Sequence, residues 1–141
     1  MSFAAFSDPV YDAIRALIEA NWQYAPIAWP NEAFDEPADG EFVKFEIFGS
    51  THGQQAFGMD NQADNRWDTA GTIWFHVMTR QGRGASQARG AAQSLVDLFR
   101  GRRLLPDENL IFQDASIGES ENQEGNWYRI SAMVEWEHWD S

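Results

Sequence analysis

The residues of this chain best suited to acid–base or metal chemistry are three histidines, His52, His76 and His138, and they stand far apart. A zinc-binding helix places two histidines at i and i+4 beside a glutamate, which puts both imidazoles on one face. No pair here has that spacing, and the chain has no cysteine, so thiolate ligands, thiol nucleophiles and disulfides are excluded. Carboxylates are plentiful, at 22. A glycosidase must hold two of them across one cleft, and nothing in the spacing holds such a pair. No G-x-S-x-G turn presents a serine nucleophile. Gly82-Arg83-Gly84 leads into a helical pattern and could offer backbone N–H groups to an anion, but it lacks the spacing and the lysine of a phosphate loop. A turn into a helix is its simpler reading. No catalytic residue, cofactor or metal is expected.

Binding is better supported than catalysis. Seven tryptophans are present, and Trp67 and Trp127 border polar stretches, where a Trp anchors protein interfaces or offers a platform to a sugar. Trp74 and Trp136 fall in strand patterns and read as packing. The net charge of -12 repels nucleic acid and anionic lipid. Charge is unevenly spread: residues 80–103 hold Arg80, Arg83, Arg89, Arg100, Arg102 and Arg103 against the single acid Asp97. Lys44 is the only lysine, and arginine is the side chain that makes forked pairs with carboxylates at interfaces. The plain alternative is a solvated helix face.

These residues need a scaffold. A chain of 141 residues with 43% apolar side chains can fill one core, so residues 1–141 are expected to form a single domain. The first residues lack a basic stretch and a long apolar run, so neither a secretory leader nor a membrane span is expected. Asp8-Pro9 reads as a helix cap, and Val10, Ile14, Leu17 and Ile18 give a buried stripe over Pro9 to Asn21. Pro26 and Pro30 confine any strand between them to an edge. The acidic stretch Glu32 to Gly40 reads as a solvated loop. Val43, Phe45 and Ile47 then mark the buried face of a strand, with Phe42, Lys44, Glu46 and Phe48 opposite. Ser50-Thr51-His52-Gly53 looks like a turn, with a strand returning over Gln54 to Met59, a polar loop over Asp60 to Asp68, and a third strand carrying Ile73, Phe75 and Val77; together they predict a meander. Ala88, Ala92, Leu95, Val96 and Phe99 predict a second helix. Strands follow at Leu110-Ile111-Phe112 and, past a polar tip at 119–125, along Tyr128, Ile130, Ala132, Val134 and Trp136. The fold class is α+β: a mixed, largely antiparallel sheet covered by two helices.

Taken in order, these segments resemble the tail terminator proteins of long-tailed phages, prophages and gene transfer agents. The resemblance rests on the opening helix, Pro26-Ile27-Ala28-Trp29-Pro30-Asn31 with Phe34 and Pro37, and the strand Phe42-Val43-Lys44-Phe45. It continues through Gly71-Thr72-Ile73-Trp74-Phe75-His76-Val77, the Gly82-Arg83-Gly84 turn and the close Gly125-Asn126-Trp127-Tyr128-Arg129-Ile130. It implies a non-enzymatic virion protein, made in the bacterial cytoplasm, whose copies form a ring, usually a hexamer. The ring would cap the tail tube, meet a head-side connector or stopper protein, and pass DNA through its lumen without binding it specifically. In a closed head-to-tail ring one patch meets a different patch of the next copy. The expected patches are Arg83, Arg89, Arg100, Arg102 and Arg103 against Glu32, Asp35 and Glu36. Asp60, Asp64, Arg66, Trp67 and Asp68 are expected to form a loop that docks on the tube. A tail tube or other neck subunit is the rival within this class; a small carbohydrate-binding domain using exposed Trp is the rival outside it.

Overall fold

The chain enters its first helix, α1 (Pro9–Asn21), through an N-cap: the Asp8 carboxylate accepts hydrogen bonds from the N–H groups of Val10 at 3.0 Å and Tyr11 at 3.2 Å. That satisfies two donors that no helical carbonyl can reach, while Pro9 has no N–H to satisfy. Val10, Ile14, Leu17 and Ile18 are buried, as their spacing predicts. The second helix, α2 (Ser86–Phe99), follows Gly82 and Gly84, whose φ angles of +88° and +80° penalise any side chain. Ala88 and Ala92 are fully buried on its inner face, and their small size lets the helix lie close to the sheet. The two helices are joined where the Trp22 indole donates to Ser94 Oγ at 2.8 Å.

The computed structural model describes residues 8–37, 40–54, 67–80, 82, 84–105, 108–119 and 127–140, with side chains for all but 50–54, 67, 119 and 140. Its strands are β1 (Ile27–Ala28), β2 (Phe42–Gln54), β3 (Trp67–Arg80), β4 (Arg103–Leu104), β5 (Leu110–Glu119) and β6 (Trp127–Asp140). They form one sheet in the order β1-β2-β3-β6-β5-β4. Only β1 and β2 run parallel; every other neighbouring pair is antiparallel. Both helices cover the face that carries Val43, Phe45, Ile73, Phe75, Val77, Ile130, Ala132, Val134 and Trp136. This is the expected α+β fold with a mixed sheet under two helices.

Three local expectations are corrected. Ser50 to Gly53 is not a turn: β2 runs through it to Gln54, and Thr51 to Gln54 pair with Trp67 to Ala70. Turn-forming side chains lose here to cross-strand pairing, with a bulge between Gly49 and Thr51 absorbing the irregularity. The returning strand is therefore β3; residues 55–59 lie outside the described part. Nor is there a three-strand meander, since β3 pairs next with β6. Finally, β2 begins buried on both faces. Phe42, Met78 and Trp127 form a second cluster on the helix-free side, with Phe34 and Ala28 packed against it.

Gly71 is a fixed point of the sheet. A Cβ there would lie 1.8 Å from the carbonyl oxygen of Phe48 and 2.7 Å from the Trp136 ring. The nearest atom is backbone, so relief requires moving a strand. Gly71→Ala is expected to lower stability by about 2–3 kcal/mol, the upper part of the overpacking range, read as a lower denaturation midpoint at unchanged m-value.

Candidate subunit interface

The arginine-rich segment forms one lateral edge of the molecule. Arg89 is exposed on α2, Arg100 and Arg102 follow that helix, and Arg103 opens the edge strand β4. The Arg100 guanidinium pairs with Asp97 at 3.2 Å and Arg102 Nε donates to the Leu98 carbonyl at 2.6 Å, which fixes both at the end of α2. Arg89 and Arg103 have no ion-pair partner among the described residues. Between α2 and β5 runs a groove of about 450 Å³, with Arg89, Gln93 and Arg100 on one wall and Gln113 to Ile117 on the other. Arg83 lies outside the described residues.

The expected acidic residues lie in the connection between β1 and β2, at the other end of the strand order. Residues 29–37 wrap around β1: Trp29 packs on Phe45 on the helix side, and Phe34 packs on Phe42 at 5.2 Å on the other. Arg80 donates to the Pro37 carbonyl at 3.0 Å while its guanidinium lies 3.9 Å from the centre of the Trp127 ring. The stretch is thus pinned to the sheet rather than simply solvated. Asp35 and Glu36 are exposed and have no ion-pair partner among the described residues. Glu32 is committed within its own subunit: Arg15, which also stacks over Trp29 at 4.5 Å, donates two hydrogen bonds to its carboxylate. Those bonds hold the Glu32 carboxyl below its ordinary 4.5 and push the Arg15 guanidinium upward. A lowered carboxylate pKa stabilises the fold above the ordinary value, and that contribution is lost as pH falls through the lowered one. Glu32→Gln is therefore expected to melt below the parent at neutral pH and to converge with it in acid, in parallel melts across pH 2–7.

The two edges of the sheet are unlike, as head-to-tail association requires. Against this geometry, the family model described as phage tail terminator protein matches residues 9–136. The chain belongs to the phage tail terminator family. It is thus a structural protein of phage-type tails and a virion component. Solved structures of similar fold include one with 20% identity and a TM-score of 0.65, covering 93% of this chain and 96% of that one. Another comes from the virion of a native gene transfer agent particle, at 16% identity and a TM-score of 0.57, covering 92% of this chain and 93% of the other. No curated protein gives a significant sequence match.

The remaining expectations for a terminator fare unevenly. Asp60, Asp64 and Arg66 of the tube-docking loop lie outside the described residues. Trp67 and Asp68 are not loop but the first two residues of β3, paired with Asp140 and Trp139 of β6. Trp127 is no exposed anchor: it is 8% accessible, edge-on to Phe42 at 4.9 Å. Trp22 and Trp136 are buried too, and Trp29, Trp74 and Trp139 are half-buried, so none of the tryptophans whose side chains are described is a free platform. His76 is half-buried, with Nδ1 2.7 Å from Ser131 Oγ and Nε2 2.6 Å from Glu46, and its ring stacks on Trp74. Both ring nitrogens are occupied by these partners. Among the described residues no group of three His, Asp or Glu is placed to hold a metal ion, and no helix is long and apolar enough to cross a membrane. Sequence reasoning missed the groove beside β5, because it depends on how far a two-residue strand covers its neighbour.

Proposed function

We propose that copies of this protein close into a ring, hexameric as the family resemblance implies, that caps the tail tube, ends its polymerisation and joins the tail to a head-side connector. One observation carries the reading: the sheet ends in two unlike edges, β1 on β2 at one side and β4 on β5 at the other, and the exposed arginines Arg89, Arg100 and Arg103 gather towards the second. A rotation about a ring axis brings the first edge of each copy to the second edge of the next, and the arginines there attract an otherwise acidic neighbour. Each copy contributes a formal charge of -12, so the assembled wall repels DNA in transit. The gene transfer agent virion supports the assignment by containing a protein of this fold.

Electron microscopy of the purified protein, alone and with tail tube subunits, tests the reading. Rings of one size that stop tube growth are expected at substoichiometric amounts. Open-ended tubes made by this chain alone would show a tube subunit instead, and a persistent monomer that leaves tube length unchanged would remove the reading.

A further inference from the structure

The sheet leaves two stretches of strand edge uncovered among the described residues, and they differ in length and position. β1 covers β2 only at Val43 and Lys44, so the outer side of β2 has no strand beside it from Phe45 onward. β4 covers β5 only at Leu110 and Ile111, leaving Phe112 to Glu119 open. Open edges present unpaired N–H and C=O groups, and natural sheets usually guard them with proline, lysine or very short strands. Neither open stretch contains proline, lysine or arginine. The bulge between Phe112 and Ala115 disturbs only the start of the β5 edge, since Ala115 to Glu119 pair with β6 in unbroken register.

We propose that these two edges pair with each other across subunits, β5 of one copy taking β2 of the next as an antiparallel neighbour, so that the sheet runs on around the ring. This deepens the ring reading and rests on it. Three observations select a second copy as the occupant. Strand direction is the first: β2 and β6 run one way and β3 and β5 the other, so a neighbour in the same orientation beside β5 presents β2 antiparallel to it. Edge length is the second: the open run of β2 from Phe45 to Gln54 and the open run of β5 from Phe112 to Glu119 are of comparable length, so each can satisfy the other's N–H and C=O groups.

The third is steric and fixes the register. Glu46, Trp74, Met133 and Ser116 share one row across the sheet. An unshifted neighbour would set its Glu46 opposite Ser116, and its β1 would then collide with Gly118 and Glu119 while its upper β2 met β4. Even shifts alone keep apolar faces aligned. A slide of two residues carries the neighbour's β1 past the end of β5 but leaves its Gly53 and Gln54 in the rows that β4 occupies; a slide of four clears both and sets Phe48 opposite Gly118. A stagger of about 14 Å per copy follows from the strand rise, and stagger of this kind is what closing a sheet demands. The short strands β1 and β4 thus act as stops at opposite corners.

The absence of native cysteine makes disulfide trapping a clean test. Ser116, Gly118, Glu46 and Phe48 are exposed, and a Cβ at Gly118 meets nothing within 4 Å, so cysteine is accommodated at each site. The double variant F48C/G118C, the two-residue controls F48C/S116C and E46C/G118C, and the unshifted control E46C/S116C are oxidised as assembled rings verified by microscopy. The expected result is a covalent ladder ending at the ring size for F48C/G118C, more than tenfold above the unshifted control and above every single-cysteine variant. Intact rings with no cross-link in F48C/G118C, strongest linking in any control pair, or dimers from S116C alone would overturn this edge pairing while leaving the ring in place. Failure of the parent protein to form rings at all would instead overturn the reading on which it rests.

Discussion

Reversing Arg89, Arg100 and Arg103 together to glutamate is expected to abolish ring formation while leaving the fold intact. All three side chains are exposed, so their replacement uncovers no core. At an interface the change is severe, because it converts attraction to an acidic neighbour into like-charge contact. Such juxtapositions cost several kcal/mol per interface, on the order of a 100-fold loss in each pairwise association constant. Closure multiplies that loss around the ring. Sedimentation velocity should show monomer where the parent sediments as a ring. Unchanged oligomers in the triple variant would show that the arginine edge is not the contact. Arg15 and Glu32 supply the internal control: their pair lies within one subunit, so breaking it should shift stability in the sense worked out above and leave ring size alone.

Loss of Phe75 should be the largest single effect on folding. Its ring is fully buried in β3, 5.4 Å from Phe45 in the neighbouring strand and 5.8 Å from Phe99 at the end of α2. Phe75→Ala removes contacts that bind sheet to helix layer and leaves a cavity with packed walls on all sides. Such truncations cost about 3–5 kcal/mol, a large share of the 5–15 kcal/mol that holds a typical domain folded. Calorimetry should show a fall in Tm on the order of 10–20 °C. A drop of only a few degrees would mean that the α2 layer closes over the gap, which the depth of the site argues against.

The features legible in the sequence are those set by local chemistry. Asp8 and Pro9 announce α1 because capping is decided within three residues, and the stripe from Ala88 to Phe99 announces α2 because burial there follows the helical period. Pro26 and Pro30 correctly confine β1 to an edge. What was hidden depends on distant partners. Ser50 to Gly53 carry turn-forming residues, and only their pairing with Trp67 to Ala70 makes them strand. Phe42 looks like an exposed alternate of Val43 until Phe34 and Trp127 arrive from far along the chain to bury it. The charged residues of the candidate interface were legible as a composition. The gathering of the arginines towards β4 and β5 was not, because it follows from a sheet order in which β6 inserts between β3 and β5.

That insertion also governs when the molecule becomes competent to assemble. The central seam joins Arg80 to Trp127 at one end and Trp67 to Asp140 at the other, so it cannot close until nearly the whole chain has left the ribosome. Pairings between such remote segments place folding in the slower, non-local regime. β5 acquires its edge only by docking on β6. In the proposed ring a nascent copy therefore carries the β2 edge early and completes the β5 edge last, so it cannot be paired on both sides until residues 127–140 are made.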